Sequence, residues 1–161
     1  MPNQEQFIQL IRDNEGIIFK ITRIYSRDAE DAKDLYQEVV YQLWKSFEKF
    51  RGDSKMSTWM YKVALNTALT HSSKRKKNRE ENPLNEAIYR IYEETDHVMD
   101  ERIQFLYSQI NKMNVMDKGI ILLFLEGKSY EEISTITGFT TSNVGTRLTR
   151  IKNKLKATVN T

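Results

Sequence analysis

The chain has no cysteine, two prolines, six glycines and two histidines among 161 residues. Without cysteine there can be no disulfide, thiolate metal site or thiol nucleophile, and the composition suits a reducing compartment. So little glycine and proline excludes turn-rich sandwiches and barrels and Gly-rich phosphate loops, and favours helices. His71 and His97 lie far apart, so neither a histidine-rich metal centre nor a Ser-His-Asp triad is expected. The longest apolar run, residues 120–125, falls far short of the roughly 18 residues of a membrane span. The opening MPNQEQF lacks the basic-then-apolar order of a secretory signal. These absences predict a soluble, cytoplasmic, all-α protein with no membrane insertion, cofactor, metal site or catalytic residue. The length fits one ordinary domain or two small helical ones of about 70 residues each.

Charge is abundant but unevenly placed, and the net charge of +3 hides the pattern. Residues 28–48 carry Asp28, Glu30, Asp31, Asp34, Glu38 and Glu48 against only Lys33 and Lys45. Residues 74–79 read KRKKNR. Residues 80–101 hold eight acids against the single Arg90. From Arg147 to Lys156 there are five basic residues and no acid. Two basic segments separated by acidic ones suggest polyanion contacts at two places and a basic partner surface elsewhere.

Apolar residues at three- and four-residue steps predict a first helix over 4–26 and a second over 28–48, with Asp28 as its N-cap. Ser57 or Thr58 is expected to open a third helix carrying Trp59, Met60, Val63, Ala64 and Thr67. Asn82-Pro83 breaks the pattern, and residues 78–99 read as an acidic interdomain linker with a short helix around 86–93. The second half reads as four helices. Asp117 is expected to cap the second of them, and Ser129 with Glu132 forms a capping box for the third. Gly138 is the residue type that ends such a helix in a left-handed turn. Two small helical domains result, 1–77 and 100–161, joined by the linker 78–99.

Residues 129–156 have the features of a helix-turn-helix: a capped first helix, a glycine turn, and a second helix that is apolar inward and basic outward. Thr141, Ser142, Asn143, Thr146, Arg147 and Arg150 lie on its outer face. In a major groove, Arg pairs with guanine, Asn with adenine, and Thr methyls touch thymine. Trp59, Tyr61, Lys62 and Asn66 interleave rings with polar and cationic groups beside the basic run, a composition suited to unstacked bases and phosphates.

These residues also carry a resemblance. Residues 28–44, DAEDAKDLYQEVVYQLW, resemble region 2.2 of the extracytoplasmic-function class of bacterial sigma factors. Residues 50–66, FRGDSKMSTWMYKVALN, are similar to its regions 2.3 and 2.4, and residues 127–150 to its region 4.2. The resemblance implies a sigma factor that binds core RNA polymerase and directs promoter recognition and transcription initiation. It assigns polymerase docking to Asp34, Leu35, Gln37, Glu38 and Val39. It assigns the −10 element to Ser54, Trp59, Tyr61, Lys62, Asn66, Lys74 and Arg75, and the −35 element to the outer face of 141–150. It further implies an anti-sigma partner, and a linker threaded towards the RNA exit path. The chain departs from the family pattern at Leu65, Thr70 and Ser73, where relatives often carry Arg, Asp and Arg. The alternative is a helix-turn-helix regulator acting without polymerase, which leaves 28–66 unexplained. A helical enzyme using Asp31, Asp34 and Glu38 lacks the Glu-x-x-His partners of bundle metal sites.

Overall fold

Helical periodicity governs the chain from end to end. In the computed structural model, which describes residues 4–50, 52, 55–71, 83–98 and 100–159, nine helices and no strand form among the described residues. The first apolar stripe builds two helices where one was expected. α1 (Gln4–Asp13) buries Phe7 and Ile11; α2 (Glu15–Tyr25) buries Ile18, Phe19, Ile21, Thr22 and Ile24. The break falls on Asn14, whose side-chain amide donates back to the Leu10 carbonyl at 2.9 Å, a local bond that competes with the helical ladder. α3 (Ala29–Phe47) begins as expected at Asp28, whose carboxylate accepts from the Asp31 amide. α4 (Met56–Thr70) begins at Lys55 rather than at Ser57 or Thr58. Thr58 is buried, and the Ser57 hydroxyl accepts from Lys128 at 2.8 Å.

The linker expected over 78–99 is corrected in its described part. There α5 (Pro83–Val98) is a full helix, opened by a proline at the position where a missing N–H costs least. Ile88, Ile91, Tyr92 and Thr95 are buried on one face, which packs against α1, α2 and α3. Tyr92 meets Phe19 and Tyr36 at ring distances of 5.5 and 5.0 Å, and Lys33 donates to the Tyr89 hydroxyl at 2.9 Å. Glu86, Glu93, Glu94 and Asp96 are exposed, so an acidic composition overlies an ordinary amphipathic helix.

The second half forms the four helices expected: α6 (Glu101–Asn111), α7 (Val115–Leu125), α8 (Tyr130–Thr137) and α9 (Thr141–Val159). Ser129 and Glu132 make the capping box, and Gly138 takes the left-handed conformation at φ 87°. The cap of α7 is Asn114, not Asp117; the Asn114 side chain accepts from the Asp117 amide at 2.9 Å. Ile133, Ile136, Val144, Leu148 and Ile151 are buried between α7, α8 and α9.

The two halves pack on each other through α2, which lies against α6 and α7, and through α4, which lies against α8. The bonds across this seam are specific. The Asn111 amide donates to the carbonyls of Arg23 and Ser26 at 2.9 and 2.8 Å, satisfying acceptors that the end of α2 leaves open. The Tyr25 hydroxyl donates to the Val115 carbonyl at 2.7 Å. Glu126 accepts from Lys20 at 2.8 Å and from the Tyr61 hydroxyl at 2.6 Å. One apolar cluster therefore runs continuously from Phe7 to Ile151.

Candidate nucleic-acid interface

The helix-turn-helix is built by short-range bonds. The Ser134 hydroxyl donates to the Phe139 carbonyl across the turn. The Thr140 hydroxyl oxygen accepts from the Asn143 amide at 3.1 Å, which starts α9 and turns its first face outward. Thr141, Ser142, Asn143 and Thr146 are exposed on that face, as expected. The two arginines behave differently. Arg147 is drawn inward: its Nη1 donates to Asp117 Oδ1 at 3.2 Å and its Nε to Asn143 Oδ1 at 2.8 Å. Its guanidinium also lies 4.5 Å from the centre of the Phe139 ring. Arg150 touches Asp117 through Nη2 alone and is 50% exposed. The expected base reader Arg147 is therefore an internal strut in this structure, while Arg150 stays at the surface.

On α4, Lys62 and Asn66 are exposed, and Trp59 is half-buried in a ring cluster with Phe50 and Phe47 at 5.0 and 6.4 Å. Tyr61 does not join them. It is 2% exposed, roofed by the second half of the chain, with Lys128 5.6 Å from its ring centre. Burial, reinforced by the Glu126 carboxylate, pushes its phenol well above the ordinary range. Asn66 lines a cavity of about 50 Å³ between the halves, with Tyr25, Leu65 and Leu69 on one side and Met116, Ile136 and Phe139 on the other. Ser54, Lys74 and Arg75, together with the rest of the basic run 74–79, lie outside the described residues.

On α3, the expected docking block splits by helical face. Leu35 and Val39 are 0% exposed and belong to the core, which corrects their assignment to a docking surface. Asp34, Gln37 and Glu38 lie half-buried on another face, with Gln42 donating to Glu38 at 3.3 Å. Tyr41, one turn beyond Glu38, is 45% exposed with Lys45 5.3 Å from its ring centre. Sequence reasoning missed it, although its position off the apolar stripe of α3 was a usable signal. Asp31, considered for metal binding, is committed elsewhere: its carboxylate accepts from the Arg27 amide at 2.8 Å and meets His71 Nε2 at 2.9 Å.

A helical bundle with a partly acidic face, joined to a helix-turn-helix with an acid-free reading helix, defines a two-part DNA-binding protein of the all-helical class. Residues 10–78 match the family model for Sigma-70 region 2, and residues 106–155 match that for Sigma-70, region 4. The chain is 30% identical over 149 residues to the RNA polymerase sigma factor SigV of Bacillus subtilis, covering 89% of this chain and 84% of that one. It is 31% identical over 152 residues to the ECF RNA polymerase sigma-E factor of Haemophilus influenzae, covering 84% and 79% respectively. The solved structure of CnrH in complex with the cytosolic domain of CnrY has the same fold, with a TM-score of 0.66 at 19% identity over 98% of this chain and 90% of that one. The chain belongs to the extracytoplasmic-function class of RNA polymerase sigma factors, and its role is that of an alternative sigma factor in transcription initiation.

Proposed function

We propose that this chain is a binding protein without chemistry of its own, and that it makes core RNA polymerase promoter-selective in the cytoplasm. Asp34, Gln37, Glu38 and Tyr41 form the polymerase-facing side of α3. Trp59, Lys62 and Asn66, with the basic run that follows α4, meet the −10 element. Thr141, Ser142, Asn143, Thr146 and Arg150 meet the −35 element, with Arg147 supporting them from behind. The observation that carries this reading is the first face of α9, four exposed polar side chains held outward by a capped turn, in a chain whose other half matches Sigma-70 region 2. A relative of the same fold was solved with a cytosolic partner domain, which supports an anti-sigma partner for this chain as well. Run-off transcription with core polymerase over a genomic fragment library tests the function. Discrete new transcripts are expected only when both components are present. Duplex promoter binding by the chain alone, with no effect on polymerase, would favour a free-standing regulator instead.

A further inference from the structure

Asp117 stands in the first turn of α7, a helix that contributes nothing to the candidate DNA face. Its side chain is 3% exposed, yet every lone pair it directs inward is used. Oδ1 accepts from Arg147 Nη1 at 3.2 Å and from Arg150 Nη2 at 3.1 Å. Oδ2 accepts from Arg150 Nη2 at 3.1 Å and from the Asn114 amide at 2.9 Å. A buried carboxylate with two arginines and a cap amide is fully compensated, so its orientation is fixed by three donor atoms.

That fixed carboxylate has consequences on the reading helix. A guanine contact needs two neighbouring nitrogens on one edge of the guanidinium fork. In Arg147, Nε and Nη1 are already committed, so each edge of its fork includes a committed nitrogen. Arg150 is held by Nη2, the nitrogen that both edges of its fork share, so its Nε and Nη1 remain as single donors with no partner among the described residues. Asn143 is affected one step further out. A bidentate adenine contact requires the amide oxygen and nitrogen to face the groove together. Here Oδ1 faces Arg147, so the Asn143 amide turns its Nδ2 donors outward and is suited to base acceptors instead.

We infer that Asp117 is a positioning residue for promoter recognition: through Arg147 it sets the Asn143 amide donor-outward, and directly it presents Arg150 to the DNA. This rests on the assignment of α9 as the −35 reader. The test is selection of bound DNA by the holoenzyme, core polymerase with the full chain, from a duplex library randomised across the upstream promoter element. Wild type is expected to enrich a motif. Asn143→Ala and Arg150→Ala each lose preference at their own positions. Asp117→Asn is expected to flatten both sets of positions together, by about ten-fold in enrichment, the scale of one lost base contact. Arg147→Ala should flatten only the positions assigned by Asn143→Ala. A merely structural Asp117 would lower yield or affinity evenly and leave the motif intact, and that result overturns the inference. If Asp117→Asn does not fold, Arg147→Ala decides: unchanged preference at the Asn143 positions also overturns it. If wild type enriches no upstream motif, the assignment of α9 itself fails, and the inference fails with it.

Discussion

Gly119 sits inside α7 where that helix crosses the first half of the chain, and Gly119→Ala sets two known effects against each other. Replacing an interior helical glycine by alanine ordinarily gains about 1 kcal/mol. Here the new Cβ would lie 3.1 Å from Leu65 Cδ1, 3.3 Å from Leu65 Cδ2 and 3.1 Å from the Tyr25 hydroxyl. Leu65 can yield, because it borders the cavity between the halves. Tyr25 cannot yield freely. Its hydroxyl is bonded to the Val115 carbonyl, one turn earlier on the same helix, so retreat from residue 119 stretches that 2.7 Å bond. Overpacking of this kind costs about 1–3 kcal/mol, including about 1 for the weakened hydrogen bond. The clash outweighs the propensity gain, and a net loss of about 1 kcal/mol is expected, a fall of about 2–4 °C in Tm for a chain of this length. Urea and thermal unfolding of the full chain measure it. Tyr25→Phe supplies the control: with the hydroxyl gone, adding Gly119→Ala should be neutral or stabilising. If Gly119→Ala alone stabilises the chain by about 1 kcal/mol, the halves do not meet as closely as argued.

Four further outcomes are expected. Leu35→Ala should cost about 2–5 kcal/mol in urea unfolding, as truncation of a fully buried leucine does. Glu38→Arg should leave the unfolding midpoint within about 0.5 kcal/mol and weaken capture of core polymerase in a pull-down; equal capture would remove Glu38 from the docking face. Tyr61→Phe should cost about 1–2 kcal/mol, since Glu126 loses one buried donor while keeping Lys20. The capping box should show acid sensitivity. The Ser129 amide donating to Glu132 holds that carboxyl below its ordinary value. Its stabilisation is therefore present above the unfolded carboxylate value of about 4.3 and is lost as pH falls through the lower folded value. The difference in urea midpoint between wild type and Glu132→Gln should be seen at neutral pH and vanish in acid.

What the sequence disclosed follows the range of the forces involved. Caps, turns and stripes are local, and they predicted α3, the four helices of the second half, the capping box and the Gly138 turn. The errors are also physical. The apolar stripe runs through Asn14 unbroken, because Ile11 and Ile18 face the same core, so only the side-chain bond to Leu10 betrays the break. In α5 the steps from Ile88 through Ile91 and Tyr92 to Thr95 are a regular helical face, but eight acids across 80–101 masked it as linker. Reading Asp34, Leu35, Gln37, Glu38 and Val39 as one docking surface ignored that neighbouring helical residues point in different directions. Asp117 and Tyr61 could not be placed from local pattern at all. Their partners are 30 and 65 residues away in the chain, and a side chain's neighbours at that separation are a property of the fold.

The seam between the halves combines two kinds of contact that do different work. Leu65, Gly119 and the cavity residues supply apolar area, which stabilises any arrangement that excludes water and is indifferent to a small slide of one helix along another. Hydrogen bonds are not indifferent, because they weaken steeply with distance and angle. Asn111 on two carbonyls of the α2 terminus, Tyr25 on Val115, and Glu126 between Lys20 and Tyr61 each pin one register. Glu126 is the most demanding of these, since a half-buried carboxylate deprived of its partners would carry an uncompensated desolvation cost. Removing Tyr61 or Lys20 should therefore loosen the relative placement of the halves more than truncating Leu65 does, even where the loss of stability is smaller. The halves are held together by burial, but they are held in place by polar contacts of this kind.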